Sequence, residues 1–503
     1  MPAVGGARLM VGFHGRTVDD ATRELLLETR ARSVILFGRN VTDANQVRDL
    51  VTEIRDLVPW PLLIAVDQEG GAVNRIEQGV FVSPGARALG ALPRALGLKS
   101  SREVGRRIGA DLAGMGIDLN LAPVVDLLHA QSRTGLELRS FGRDPDAVVG
   151  LAEAFLAGQR EGGVAGCIKH YPGLGVAAAD PHGELPGVSE DLVSDFEEGR
   201  EVFHRLVADI APAALMTTHL VTPGSRGEWV TGSRKEVYGR LRTEWNYEGL
   251  ILADCLEMAG AASRAGGTVR AVLEAARAGH DVLPVCHTIA LQREAARALE
   301  AALKTGDLDP TEHAASVARI EALASTHRTG FQAPGGDALA RRVAREALRV
   351  VSDPGHLLPL SPMSRLSVIR LGEASEPAGV EEASVRPASA AFFGRWKEMA
   401  GTSARDVRLP LHASEDDIDG CLAAVERSDH VLFCPRHVRD DASQAEVFRR
   451  LDRRFPGGFL VCAMRDDRDL APAPPSATGL LTYGERPEQW EVLAERLLGC
   501  PGA

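Results

Sequence analysis

Two hydrophobic rhythms alternate along the first two thirds of the chain. Short apolar runs ended by polar or glycine residues occur at residues 9–13, 33–37, 62–67 and 119–124, and again at 165–171, 213–219, 250–254 and 281–285. Between most of them lie stretches with the apolar spacing of a helix, at 19–30, 44–58, 100–115, 146–161 and 194–210. Runs apolar on both sides fit strands buried on both faces, and strand–helix alternation fits a parallel sheet. Eight such strands predict closure into a (β/α)8 TIM-type barrel, an α/β fold whose chemistry sits at the carboxyl ends of the strands.

The pattern breaks after about residue 326. The segment 329–337, TGFQAPGGD, has the Gly and Pro content of a linker. A smaller α/β unit follows, with strands predicted at 366–371, 430–434, 458–464 and 479–483 and a last helix over 487–498. The stretch 373–390 is acidic, Ala-rich and Pro-containing, which predicts a loop. These readings divide the chain into a barrel over 1–328, a linker over 329–340 and a second domain over 341–503. A length of 503 residues agrees, being too great for one ordinary core.

Charge narrows the ligand. A formal net charge of −12 without a basic run leaves no footprint for nucleic acid or an anionic membrane, so a small molecule is expected. The seven cysteines are scattered and have no zinc-type spacing, which fits a reducing compartment and predicts no metal site. Arg8 interrupts the one apolar stretch that could begin an export signal, and no segment could span a bilayer. A cytoplasmic location is the expectation.

Polar residues gather where the predicted strands stop: Asp67, Asp126, Lys169 with His170, His219 and Asp254. One such residue could merely mark a strand end, but recurrence at one end of successive strands points to a site. Asp180 and His182 follow the fifth strand on a loop rich in Gly and Pro; two residues apart in extended chain, they can lie side by side. A carboxylate that fixes an imidazole tautomer makes a group able to give and take a proton near neutrality. Alone, an Asp-x-His is more often a solvated turn or a local hydrogen bond. Asp254 ends an apolar strand abruptly, which suits a carboxylate nucleophile, or else the cap of a following helix. Asp67 precedes Gly70 and Gly71, with Arg75 eight residues on, and Arg139 lies on the loop after the fourth strand. These could hydrogen-bond sugar hydroxyls, or form a glycine turn and a surface ion pair.

Taken in order, VDQEGGAVNRI, LAPVVDL, LRSFGRDP, IKHYPGLGVAAADPHGELP, LMTTHL and LILADCLEMAG resemble the family 3 glycoside hydrolases, and within them the bacterial β-N-acetylhexosaminidases of cell-wall recycling. The resemblance covers residues 5–325, and the second unit is similar to the α/β sandwich that many members carry. It implies retaining hydrolysis of terminal β-linked N-acetylglucosamine without metal or organic cofactor. Asp254 would be the nucleophile and His182 the acid/base with Asp180 as its partner, while Asp67, Arg75, Arg139, Lys169 and His170 would hold the sugar. Leu174 and Val176 stand where the family's mobile loop has His and Asp, Cys255 where the second of an Asp pair is usual, and Ala72 where Arg often follows the two glycines. A phosphorylase, a β-glucosidase and a non-catalytic sugar-binding protein are the competing readings.

Overall fold

The computed structural model describes residues 4–129, 132, 135–177, 183–225, 227–326, 336–372, 388–438 and 441–500. These form two compact units, one drawn from 1–82 and 93–336, the other from 83–92, 337–376 and 384–503.

The first unit is a parallel barrel. Its strands are β1 (Leu9–Val11), β2 (Ser33–Leu36), β3 (Leu63–Val66), β4 (Leu119–Asn120), β5 (Ala165–Tyr171), β6 (Ala214–Thr217), β7 (Leu250–Leu252) and β8 (Leu283–Val285). They pair in the order β8-β1-β2-β3-β4-β5-β6-β7, and a parallel bridge between Leu252 and Val282 closes the ring. Each strand leads into a helix: α1 (Asp20–Thr29), α2 (Ala44–Asp56), α3 (Arg94–Gly114), α4 (Pro145–Gly162), α5 (Val193–Ile210), the helical segment Lys235–Glu244, α6 (Thr268–Ala278) and α7 (Ile289–Thr305). Asp19, Asp43 and Asp144 accept backbone amides at the starts of α1, α2 and α4, and Pro145 occupies a first-turn position where its missing N–H costs nothing.

Inward side chains fill the barrel. Met10, Ile35, Leu63, Ala65, Leu119, Cys167, Ala214, Met216, Leu250 and Leu252 form one cluster, which Ile320 and Ala324 of helix α8 (Pro310–Ala324) join. With that space packed, the barrel interior is a core rather than a channel, and the chemistry of such barrels sits at the rim.

The second unit has a six-stranded sheet of β9 (Arg349–Ser352), β10 (Leu366–Leu371), β11 (Arg405–Leu409), β12 (His430–Cys434), β13 (Phe459–Ala463) and β14 (Thr478–Leu481), ordered β9-β14-β13-β12-β10-β11. Only β9 runs antiparallel to its neighbour. One face packs on Phe392, Trp396 and Trp490, the other on Phe448, Leu451 and Phe455, so both faces are covered. The four inner strands were legible as apolar runs. The edge strands β9 and β11 were not, because an edge strand meets water and carries residues such as Arg349, Arg405, Asp406 and Arg408. Residues 329–335 of the expected linker and 373–387 of the expected loop lie outside the described residues, and 336–340 of that linker begin the helix Gly336–Ala347.

Helices α3 and α4 approach almost to backbone contact through glycine. A Cβ on Gly158 would stand 2.0 Å from the Arg102 carbonyl oxygen, and one on Gly105 2.2 Å from that of Phe155. Gly158→Ala and Gly105→Ala should each lower stability by about 1–3 kcal/mol through overpacking. The reading is a lower urea midpoint at unchanged slope. Gly114→Ala, where a Cβ meets nothing within 4 Å, should leave the stability within about 1 kcal/mol of the parent.

Candidate active site

The strand ends of β3 to β7 supply the polar groups of the rim. Asp67 follows β3, and the chain then turns through a short hairpin, Gln68–Gly70 with Val73–Asn74, that carries Glu69. Positive φ at Gly70 and Gly71, 89° and 61°, makes that turn possible. The Gln68 side chain locks it, donating to the Ile76 carbonyl at 2.6 Å and accepting the Arg75 and Ile76 amides at 3.0 and 3.1 Å. Lys169 and His170 lie in β5 where its register against β6 shifts between Ile168 and Tyr171. Such an irregularity re-aims side chains, and here two consecutive residues both reach the cluster.

The expected sugar-holding residues come together. The Lys169 ammonium bridges Asp67 and Glu69, 2.7 Å from each carboxylate. Arg139 meets Glu69 with two nitrogens at 2.9 and 2.8 Å, and Arg75 stands 3.6 Å from Asp67. Asp126, fully buried, accepts His170 Nδ1–H at 2.7 Å, the His170 amide at 3.2 Å and the Leu174 amide at 2.7 Å. With Nδ1 committed to Asp126, His170 Nε2 stands 3.4 Å from Arg139.

Charges here are nearly all compensated. Burial opposes ionisation of Asp67, yet Lys169 and Arg75 hold its carboxyl below the usual range; burial likewise opposes Glu69, and Arg139 and Lys169 hold it well below. Burial would strip Lys169 of its proton, but the two carboxylates raise its affinity for it. Three cations, Arg75, Arg139 and Lys169, face three anions, Asp67, Glu69 and Asp126. A surface of fixed donors and acceptors without net charge suits a neutral, hydroxyl-rich ligand. Among the described residues Arg75 Nε and Nη1 have no hydrogen-bond partner.

Asp254 stands apart from that balance. It follows β7, half-buried at the rim, its amide donating to the Thr217 carbonyl at 3.1 Å and its Oδ1 accepting the Cys255 amide at 2.7 Å. His219 Nε2 lies 3.0 Å from the Cys255 carbonyl oxygen and Nδ1 2.8 Å from Thr231 Oγ1, which steadies the turn. Among the described residues no cation pairs with Asp254. Its charge, with those of Lys169 and Asp67, is felt at the buried Cys167 thiol, so all three converge on the same part of the barrel. Asp180 and His182 lie outside the described residues.

Two parts of this site escaped the sequence reading. Glu69 sits in a quoted motif, and its place two residues after Asp67 in an extended segment was the available signal. Nothing in sequence spacing marked the second, a group formed by Cys255, Glu257, Cys286 and His287. Glu257 accepts the amides of Cys286, His287 and Thr288 at 2.6, 2.6 and 3.0 Å, capping the start of α7. The Cys255 thiol hydrogen-bonds to Cys286 and His287, and those contacts, against the effect of burial, bring it down to about 6. The same contacts raise the Cys286 thiol and the His287 imidazole. Ligand atoms of Cys255, Glu257 and His287 lie within 4.8 Å of one another. They fit a cation poorly, because three amides already occupy Glu257 and the Arg39 guanidinium stands 3.2 Å from His287 Nδ1.

A closed parallel barrel with paired acids and bases at its strand ends and, among the described residues, a carboxylate there that no cation pairs defines a barrel enzyme built for a neutral polar substrate. Residues 5–323 match the glycosyl hydrolase family 3 N-terminal domain, and the chain belongs to that family and is a glycoside hydrolase. It is 38% identical over 298 residues to a beta-hexosaminidase of Chromobacterium violaceum, covering 59% of this chain and 82% of the relative. It is 37% identical over 284 residues to a beta-hexosaminidase of Thiobacillus denitrificans, covering 56% and 78%. A solved family 3 beta-N-acetylglucosaminidase from Paenibacillus sp. superposes with a TM-score of 0.88 at 27% identity, over 99% of this chain and 96% of that one.

Removing one partner from the buried ion network should cost far more than breaking a surface pair. Glu69→Ala strands Arg139, leaves Lys169 with Asp67 alone and should lower stability by about 3 kcal/mol or more in urea unfolding. Because the folded protein holds Asp67 and Glu69 below their unfolded values, their contribution is present above about pH 4.5 and is lost as pH falls. Glu69→Gln should therefore flatten the acid limb of the stability profile.

Proposed function

We propose that this glycoside hydrolase removes terminal β-linked N-acetylglucosamine by double displacement with retention, Asp254 attacking the anomeric carbon and His182, oriented by Asp180, moving the proton. The observation that carries this reading is the carboxylate of Asp254 at the rim, which no cation among the described residues pairs, beside a network in which Asp67, Glu69 and Asp126 are each paired. A carboxylate free of a cation keeps its nucleophilicity and faces the positive charge that develops on the sugar ring.

The remaining roles follow from position. Asp67, Arg75, Arg139, Lys169 and His170 would bind the ring hydroxyls and the acetamido group, with Asp126 holding His170 in one tautomer. Holding neutral polyol groups by prearranged donors places the anomeric carbon without reorganisation when the reaction begins. The beta-hexosaminidase relatives support the choice of sugar. We further propose that the natural substrates are N-acetylglucosamine-containing cell-wall fragments met in the cytoplasm. No helix among the described residues is long and apolar enough to cross a membrane. Water is the proposed second nucleophile.

Asp254→Ala should abolish glycosyl-enzyme formation and reduce turnover by about 10⁴-fold or more. His182→Ala should slow glycosides with poor leaving groups by roughly 10²–10⁴-fold and activated aryl glycosides far less. Equal losses on both substrate types would refute the role of His182. A panel of chromogenic β-glycosides assayed with and without phosphate tests the whole reading. Preference for glucosides would move the substrate class, a sugar phosphate product would make the enzyme a phosphorylase, and binding without turnover would leave a sugar-binding protein.

A further inference from the structure

The ends of β7 and β8 carry two cysteines that the proposed hydrolysis does not use. Cys255 follows Asp254 directly; its sulfur, a Glu257 carboxylate oxygen and a His287 ring nitrogen lie within 4.8 Å of one another, and the same Glu257 carboxylate accepts the Cys286 amide at 2.6 Å. The Leu256 amide donates to the Pro284 carbonyl at 3.0 Å, which ties the two strand ends side by side. Cys255 is half-buried and His287 exposed, whereas Cys286 is closed to solvent. A small oxidant arriving from water meets Cys255 first, with Cys286 waiting behind it. Arg39 is held over this corner, its Nη2 donating to the Cys286 carbonyl at 2.8 Å and its Nε to that of Phe13 at 2.9 Å, so a fixed positive charge favours an anionic sulfur there over a bound cation.

We propose that Cys255 and Cys286 form a peroxide-responsive thiol pair whose oxidation to a disulfide disables the neighbouring Asp254. The Cys255 thiolate attacks one peroxide oxygen, an S–O bond forms as the O–O bond breaks, and the departing hydroxide leaves as water after taking a proton. The Cys286 sulfur then attacks the Cys255 sulfenic sulfur, the S–S bond forms, and the hydroxyl leaves as a second water with the Cys286 proton. Two thiols lose two electrons in total, and the peroxide is reduced to two waters. The cross-link would draw Cys255 toward β8 and displace the amide that now donates to Asp254 Oδ1 at 2.7 Å. This effect on turnover rests on Asp254 being the reacting carboxylate, whereas formation of the disulfide does not.

The full chain is treated with hydrogen peroxide, digested without reduction and mapped by mass spectrometry, while turnover of a chromogenic N-acetylglucosaminide is followed in parallel. A Cys255–Cys286 cross-link is expected. Turnover should fall roughly tenfold or more, the scale set by displacing a catalytic group by about an ångström, and recover with dithiothreitol. Cys255→Ser should hold its own untreated turnover through the same exposure. Cys286→Ser, or Cys286→Ala if the hydroxyl unsettles that buried position, should instead accumulate a sulfenic acid at Cys255 that dimedone traps. Absence of the cross-link, its formation with another cysteine, or equal inactivation of Cys255→Ser would overturn the proposal. A cross-link without loss of turnover would overturn the link to Asp254 while leaving the hydrolysis itself to its own tests.

Discussion

The ammonium of Lys169, bridging Asp67 and Glu69 at 2.7 Å, is the contact on which the geometry of the rim depends. Burying one cation beside two carboxylates is favourable only if each remaining charge is also answered, and Arg139 and Arg75 do this. The result joins β3, its hairpin, the loop after β4 and β5 into one rigid surface. Such rigidity is what a sugar site needs, because donors and acceptors already in place need no reordering when the ligand arrives.

Against that balanced background a single unpaired carboxylate acquires meaning. Among the described residues Asp254 is held by backbone, through Thr217 and Cys255, and no cation pairs with its side chain at the mouth of the barrel. Asp126 shows the opposite use of the same residue type: buried and saturated with three N–H donors, it orients His170 and the start of the loop at Leu174. Environment separates the two carboxylates. The closed core beneath, with Cys167 among its inward residues, leaves a ligand nowhere deeper to go.

Cys255 shows how one replacement can alter the physics of a corner. An Asp is usual at this position in the resembling enzymes, and a second carboxylate there would add repulsion beside Asp254. The thiol exchanges that repulsion for contacts with Cys286 and His287, and Glu257 turns away to cap α7. Asp254 and Cys255 thereby share one peptide unit, whose amide donates to the carboxylate.

The barrel was legible in the sequence because a strand buried on both faces must be apolar along its whole length, and eight such runs between helical stretches admit few other arrangements. The positions of Asp67, Lys169, His170 and Asp254 were legible for the same reason, each being the polar residue that ends a run. Partnership was not. That Lys169 bridges Asp67 and Glu69, that Asp126 serves His170, and that Cys255 meets a cysteine and a histidine thirty or so residues away depend on which strand ends the closed ring sets side by side. Edge strands such as Arg405–Leu409 were hidden because their partner on one side is water. Sequence by itself determined the periodicity, and so the class of fold and the candidate groups. Tertiary structure alone decided which charges meet, since pairing energies depend on distance and burial, and neither is written in chain order.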